Sequence, residues 1–140
     1  MTSPPIPGAI FAALPIPAFL IAASSGQERI LDCNPAAEQF VSASAAQLRG
    51  EPVFDRLAVD APMEDAAERA RSNRAAVFIN DCEISTGERP PVICMLQLAP
   101  MNDAAQTLLL LITPREFAGR LGRTRAVKAA AKSAIGMAEM

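Results

Sequence analysis

Residues 31–40, LDCNPAAEQF, change from a strand-like to a helix-like pattern at Asn34-Pro35. The short apolar run before this point is typical of a strand. Asn34 offers a side-chain oxygen for a helix N-cap, and Pro35 suits the first helical position because its fixed φ is close to that of a helix. Glu38 stands near the capping-box position of the same helix. The chain therefore contains both strands and helices, and one strand leads directly into a helix.

The predicted elements follow one order, which is two strands, a block of short helices and three strands. The strands are expected at residues 18–23, 29–33, 76–86, 92–99 and 107–113. The helices are expected at residues 8–14, 35–41, 44–49, 52–57 and 61–74. In the third strand, alternation would place Asp81 and Glu83 on the face of Val77 and Ile79, opposite Cys82. Strands at both ends of a helical block predict an α+β domain with helices on one face of the sheet.

The chain changes in composition after Pro114. Residues 1–114 carry 7 Lys and Arg against 13 Asp and Glu, whereas residues 115–140 carry 6 against 2 and contain no proline. The second segment is rich in Ala, Arg and Lys, which predicts one long helix that fits the end of a coiled coil. The 140 residues fit one domain. We divide the chain into an N-terminal flank (1–14), a core domain (15–114) and a C-terminal helix (115–140).

The composition argues against an enzyme and against a membrane protein. There is no histidine, which is the commonest general base, proton shuttle and metal ligand. The three cysteines are scattered without metal-type spacing, so we expect reduced thiols and no metal site. The apolar stretch 6–23 is broken by prolines and has no basic residue before it, unlike a signal peptide or a membrane span. We expect a cytoplasmic protein without catalytic residues.

Residues 30–50, ILDCNPAAEQFVSASAAQLRG, resemble the signature of a PAS sensor domain. In that signature a strand ends in Asp-x-Asn-x-Ala-Ala, opens the first helix and leads to a second helix that ends in Gly. The resemblance covers residues 15–114 and implies a five-stranded antiparallel sheet with short helices on one face. The positions that match the signature are expected to be structural: Asp32, Asn34, Pro35, Ala36, Ala37 and Gly50.

The two ends of the chain carry a narrower resemblance. Residues 14–22, LPIPAFLIA, and residues 123–140, RTRAVKAAAKSAIGMAEM, are similar to the sensor region of nitrogen-regulation histidine kinases of the NtrB type, particularly those of alphaproteobacteria. In that family a segment resembling SAIGMAEM runs into the phospho-accepting histidine box. The resemblance therefore implies a fragment, with a PAS domain and the first turns of the dimerisation helix but without the phospho-accepting histidine or the ATP-binding domain.

Cys33 and the methionines are candidates for redox or cofactor chemistry. A thiolate beside a helix N-terminus has a lowered pKa, but cysteine is also among the most buried residue types, and we favour a packed thiol. Flavin-binding photosensory PAS domains hold their reactive cysteine in a motif that this sequence lacks. Without histidine, haem would need Cys or Met as its axial ligand, and Met63 and Met95 fit packing positions better. We predict no cofactor; which residues line a PAS cavity is left undetermined.

The charged candidates also have structural explanations. We expect Asn34 to cap a helix and Asp32 to bond nearby backbone amides or Arg29, although a ligand role at this corner stays open. Asp81 and Glu83 have no accompanying base, nucleophile or metal set. The basic residues of the C-terminal segment are typical of a solvated helix surface, which argues against nucleic acid as a partner: Arg115, Arg120, Arg123, Arg125, Lys128 and Lys132.

The leading hypothesis is a regulatory PAS domain that forms a homodimer and passes a conformational bias through the helix after Pro114 to a kinase core. We predict dimer contacts at Ile10, Phe11, Leu14, Phe117 and Leu121. The resemblance implies that a response regulator and a PII-type protein act through the kinase core. The alternative is a PAS module of another signalling protein that binds a small metabolite. A small enzyme is the third interpretation, and the sequence offers no catalytic groups for it.

Overall fold

A computed structural model describes residues 8–87, 90–101 and 103–115. Its strands form one antiparallel sheet in the order β2-β1-β6-β5-β4-β3. The strands are β1 (Ala18–Ser24), β2 (Gln27–Cys33), β3 (Ala58–Val59), β4 (Val77–Ser85), β5 (Val92–Pro100) and β6 (Leu108–Pro114). The helices are α1 (Gly8–Ala13), α2 (Pro35–Val41), α3 (Ala45–Leu48), α4 (Val53–Arg56) and α5 (Met63–Asn73). The predicted α+β class is confirmed.

The last strand, β6, lies in the middle of the sheet. It pairs with β1 on one side, with Phe19 opposite Leu110, and with β5 on the other, with Leu98 opposite Leu110. β1 and β2 form a hairpin around Ser25 and Gly26, both of which have positive φ. The final strand therefore joins the first hairpin to the later strands.

The two faces of the sheet have different coverings. Alternate residues of β1 and β6 point to opposite faces, as in any strand. The helices α2 to α5 cover the inner face and bury Phe19 and Leu110, whereas α1 covers part of the outer face, where Phe11 packs against Ala18 and Leu109. The prediction that helices lie on one face holds for α2 to α5, and α1 lies on the other.

Within the described residues the sheet has six strands, so the predicted number of five is wrong. The additional strand, β3, pairs with the end of β4 at the edge of the sheet, with Val59 opposite Ile84. Asp60 extends this pairing, because its Oδ1 accepts a hydrogen bond from the amide of Glu83 at 2.8 Å and its own amide donates to the Glu83 carbonyl. A two-residue strand is too short to produce an alternating sequence pattern.

A β-bulge interrupts β4, and the predicted alternation along this strand is wrong. Asp81 has a φ of 55°, and the register with β5 shifts between Ile79 and Cys82. A bulge adds one residue to one strand and reverses the direction of the side chains that follow. Cys82 therefore faces the same core as Ile79, while Phe78 is 56% exposed.

Several predictions fall on residues outside the described part of the chain. They include the long helix over residues 115–140, of which only Arg115 is described, and the dimer contacts at Phe117 and Leu121. Ile10 lies in α1, and the description of side chains begins at Phe11. The domain limits at residues 14 and 114 stay predictions.

Candidate functional site

Asn34 is buried at the junction of β2 and α2, and five backbone groups bond its side chain. Its Oδ1 accepts hydrogen bonds from the amides of Ala37 at 2.9 Å and Ala18 at 3.0 Å. Its Nδ2 donates to the carbonyl of Ile16 at 3.0 Å and reaches those of Phe11 and Leu14 at 3.4 Å. The predicted N-cap is present, and the same amide also binds the segment between α1 and β1.

The other motif residues have structural contacts. Pro35 is the first residue of α2, and Ala37 is fully buried beneath it. Oδ1 of Asp32 accepts a hydrogen bond from the Cys33 amide at 2.9 Å, as predicted, and its charged partner is Arg49 at 3.2 Å rather than Arg29. The chain after α3 returns to β2, where the amide of Gly50 donates to the Ile30 carbonyl at 2.7 Å.

Gly50 has a φ of 85°, a backbone conformation that residues other than glycine rarely adopt. Its carbonyl accepts a hydrogen bond from Nη1 of Arg29 at 2.8 Å. Arg29 therefore holds the end of the α3 region against β2 instead of pairing with Asp32. The predicted role of Gly50 in ending this helical segment agrees with these contacts, and the turn requires glycine.

Cys33 is a buried thiol. Burial, followed by the charges of Glu38 and Asp32, raises its pKa to about 11, and the opposing charge of Arg49, which lowers the pKa, has the smallest effect. At pH 7 the Cys33 thiol is therefore almost entirely protonated. The thiolate is the reactive form, so this environment is typical of an inert packed cysteine.

Cys82 and Cys94 lie opposite each other on β4 and β5. Burial is the main cause that raises the pKa of both thiols, that of Cys94 to about 12. Sγ of Cys82 contacts the Cys94 carbonyl at 3.4 Å, whereas Sγ of Cys94 contacts the Val92 carbonyl. All three cysteines are free thiols that belong to the core.

An ion pair between Glu28 and Arg71 joins β2 to α5. Two hydrogen bonds of 2.7 Å connect the guanidinium to the carboxylate, and the two side chains are only 7% and 13% exposed. Nε of Arg71 donates to the Gln106 carbonyl at 2.9 Å. Sequence reasoning missed this pair, although Glu28 precedes the buried Ile30 by two positions and so shares its inward direction.

Two grooves border this ion pair, one of about 120 Å³ and one of about 460 Å³. The smaller volume is below, and the larger volume within, the range of roughly 300 to 1,000 Å³ that is usual for sites of small organic ligands. Asp103 is committed to its own loop, since its Oδ1 accepts a hydrogen bond from the Thr107 amide at 2.8 Å and this bond lowers the pKa of the carboxyl. The groove of about 120 Å³ is lined by Asp103, Thr107, Pro100, Arg71 and Arg74.

The described dimer candidates contact their own domain. Phe11 is 7% exposed in the outer cluster, and Leu14 is half-buried against the same cluster. The exposed large apolar side chains of the described residues are Leu31, at the bulge in β2, and Phe78. The dimer contacts stay a prediction.

The remaining candidates are dispersed. Asp81 pairs with Arg115 at 3.3 Å, and both side chains are mostly exposed. Met63 is buried in the core, and Met95 is half-buried in β5. Among residues 8–87, 90–101 and 103–115, no group of three His, Cys, Asp or Glu side chains is placed to hold a metal ion. No described helix is both long and apolar enough to cross a membrane.

The fold is shared with solved domains. The crystal structure of the PAS domain of nitrogen regulation protein NR(II) from Vibrio parahaemolyticus matches with a TM-score of 0.65 at 17% sequence identity, over 76% of this chain and 94% of that one. The chain has the PAS fold. The PAS prediction from the Asp-x-Asn-x-Ala-Ala motif is therefore confirmed.

Two curated relatives match nearly the whole of this chain. The sensory histidine kinase/phosphatase NtrB of Rhodobacter capsulatus is 51% identical over all 140 residues, and that of Azospirillum brasilense is 26% identical over 134 residues. The predicted resemblance to NtrB is confirmed. No protein-family model matches the chain. The chain spans 38% of the length of the first relative and 33% of the second.

Proposed function

We propose that this chain is the sensory PAS domain of an NtrB-type histidine kinase, where it dimerises and biases the activity of a kinase core. The observation that carries the proposal is the 51% identity over all 140 residues to a sensory histidine kinase/phosphatase. The PAS fold is compatible with many functions, because function resides in sites and not in folds. The extent of the similarity is therefore the stronger support.

The position of β6 supports a route for the signal. β6 is hydrogen-bonded to β1 and β5, and the chain leaves it at Pro114 toward the predicted helix. Arg115 contacts Asp81 at the bulge of β4, so the exit of the chain is attached to a second strand. A shift within the sheet would alter the direction of the following helix, and packed helices of a dimer can switch between discrete arrangements.

The partners and the location follow from the resemblance. We propose that the response regulator and a PII-type protein act through the kinase core and leave this domain free to regulate it. The burial of Cys33, Cys82 and Cys94 supports a domain that works without a covalent cofactor. We place the domain in the cytoplasm, with neither nucleic acid nor membrane as its partner, and assign it a regulatory role without catalysis of its own.

A chimera tests this function. The matching segment of R. capsulatus NtrB is replaced by this chain, and autophosphorylation and phosphatase activity are compared with those of the natural kinase. We expect both activities and their regulation to be retained. A chimera carrying the PAS domain of the HTR-like protein from Haloarcula marismortui, which shares the fold at 11% identity, is the control and is expected to lose regulation. Loss of regulation in both chimeras would overturn the proposal.

A further inference from the structure

The helices α1 and α2 lie on opposite faces of the sheet, and the start of β1 lies between them. α1 packs through Phe11 in the outer cluster, whereas α2 places Ala37 in the inner core. Ala18 belongs to the outer cluster, and its backbone amide and carbonyl both bond Asn34. Ala18 and Asn34 therefore connect the two sides of the sheet at the start of β1.

Asn34 makes more contacts than a helix cap requires. A cap needs one side-chain oxygen that accepts a hydrogen bond from a first-turn amide, and Ser44 does this for α3 by accepting from Gln47. Asn34 caps α2 in the same way, but it also binds Ala18 through Oδ1 and uses Nδ2 on the segment that follows α1. The amide orientation is fixed, because Oδ1 faces two N–H donors and Nδ2 faces carbonyl acceptors.

The partners of Nδ2 are the backbone positions at which α1 ends and turns toward β1. Phe11 provides one carbonyl, and its side chain is the buried anchor of α1. Leu14 and Ile16 provide the others. The amide of Leu14 also donates to the Phe11 carbonyl at 3.4 Å. The side chain of Asn34 therefore holds the end of α1 and the start of α2 at once.

We propose that Asn34 is a positioning residue that couples α1 on the outer face of the sheet to α2 on the inner face. The side chain that caps α2 is also hydrogen-bonded to the end of α1, so a movement of α1 shifts this side chain and changes the stability of α2. The same contacts allow α2 to affect α1. Coupling between two sites is reciprocal by thermodynamic necessity. The inference extends the proposed function, in which the domain dimerises through contacts predicted in its N-terminal flank, but the coupling itself is a property of the isolated chain.

Substitutions at Asn34 separate the cap from the coupling. Asn34→Asp keeps both acceptor contacts of Oδ1 and replaces the donating amide with an oxygen that three carbonyls repel. Hydrogen exchange at Ala12, Ala13 and Leu14 is expected to become at least tenfold faster in this variant, and exchange at Ala37 at least threefold faster, because α2 keeps its cap but loses the support of α1. Ser44→Ala, which removes a cap with no contact to α1, is the matched control and is expected to leave exchange in α1 unchanged.

A double-mutant cycle tests the reciprocal effect. Phe11→Ala weakens the anchor of α1 without changing Asn34, and we expect exchange at Ala37 to become at least threefold faster. In the Asn34→Asp background the same Phe11 substitution is expected to leave Ala37 unaffected, because the connection is already broken. Phe78→Ala makes the same chemical change at an exposed position and serves as the control.

The outcomes are distinguishable from a simple loss of stability. Exchange at Leu110, which is fully buried in the central strand, reports global unfolding, and rates at Ala37 are compared after this correction. An equal effect of Phe11→Ala at Ala37 in both backgrounds, or no effect in either, would overturn the coupling. Such a result would leave the chimera experiment untouched, since the chimera measures regulation of the kinase and not the connection between the helices.

Discussion

At the scale of single residues, few side chains other than the three thiols titrate near pH 10, because the chain has no tyrosine and only two lysines, Lys128 and Lys132. Burial raises the pKa of Cys33 to about 11 and that of Cys94 to about 12, above the value of 9.0 for a free thiol. A neutral thiol is therefore favoured in the folded state. The stability that it contributes is complete below pH 9 and is lost as the pH rises toward the folded pKa.

We predict that the free energy of unfolding falls between pH 9 and pH 11, by up to about 1.4 kcal/mol per pH unit for each thiol. Urea unfolding at a series of pH values measures this slope. Cys94→Ala should be less stable at pH 7 because it leaves a cavity, yet its stability should fall less steeply above pH 9. An unchanged slope in this variant would contradict the assignment.

The ion pair of Glu28 and Arg71 gives a second prediction. Arg71→Met leaves the Glu28 carboxylate buried without its partner and is expected to cost about 3 kcal/mol of unfolding free energy. The double variant Glu28→Met with Arg71→Met should recover most of that loss, because two apolar side chains of similar size need no charge compensation.

The control for this pair lies on the same helix. Arg69 pairs with Asp65 at 3.4 Å, but both side chains are more than half exposed. Arg69→Met is expected to change the free energy of unfolding by less than about 0.5 kcal/mol. Denaturant unfolding compares all four proteins. A double variant as unstable as Arg71→Met alone would show that the pair does more than compensate a buried charge.

The hydrogen bonds and ion pairs of a side chain were predictable only where the partner residue is near in sequence. The cap of Asn34 on Ala37 follows from a spacing of three residues and was predicted. The bonds of the same side chain to Phe11 and Ile16 connect positions that only the fold brings together. Glu28 and Arg71 were missed for this reason, since each reads alone as an ordinary surface charge.

At the scale of elements, Arg74 follows the end of α5 as its C-cap residue and has a left-handed conformation, with φ 51° and ψ 43°. Glycine adopts this conformation without steric cost and is the usual residue at such helix ends. We predict that Arg74→Gly stabilises the domain by about 0.5 to 1 kcal/mol. Arg69→Gly makes the same change inside the helix and should destabilise by about 1 kcal/mol. Thermal unfolding of both variants checks the opposite signs.

The elements themselves were largely predictable, because most have clear periodicity and end signals. The order of strands and helices followed from Gly and Pro positions and from the capping pattern at Asn34. The faces of β4 were not predictable, since the bulge at Asp81 depends on pairing with β5 and reverses the alternation. β3 gives no pattern at all, since two residues form a strand only where β4 offers an edge.

At the scale of the whole molecule, the structure changes which residues are suitable for testing the predicted dimer. Phe11 is buried against the chain's own sheet, so its substitution would weaken the domain before it tested an interface. Leu14 is half-buried, and Leu121 is a predicted dimer contact in the helix after Pro114. These two positions are therefore better probes of the predicted dimer interface.

We predict that the chain has twice its mass of 14.8 kDa in light scattering coupled to size exclusion. Leu14→Asp and Leu121→Asp should each yield a monomer, because a charge in an apolar interface lacks a partner. Leu31→Asp, at an exposed bulge position, should remain a dimer. Circular dichroism verifies that each variant is folded. Dimers of unchanged stability in all three variants would exclude this interface.

The central position of β6 has a consequence for biosynthesis. The pairing of β1 with β6 joins residues about 90 positions apart, a separation typical of slowly folding contacts. While the ribosome is still producing the chain, the hairpin of β1 and β2 and the strands β3 to β5 are separate pieces with unpaired edges. Only when Pro114 has left the exit tunnel can β6 join them. The sheet can therefore close only after the whole of residues 18–114 has been made.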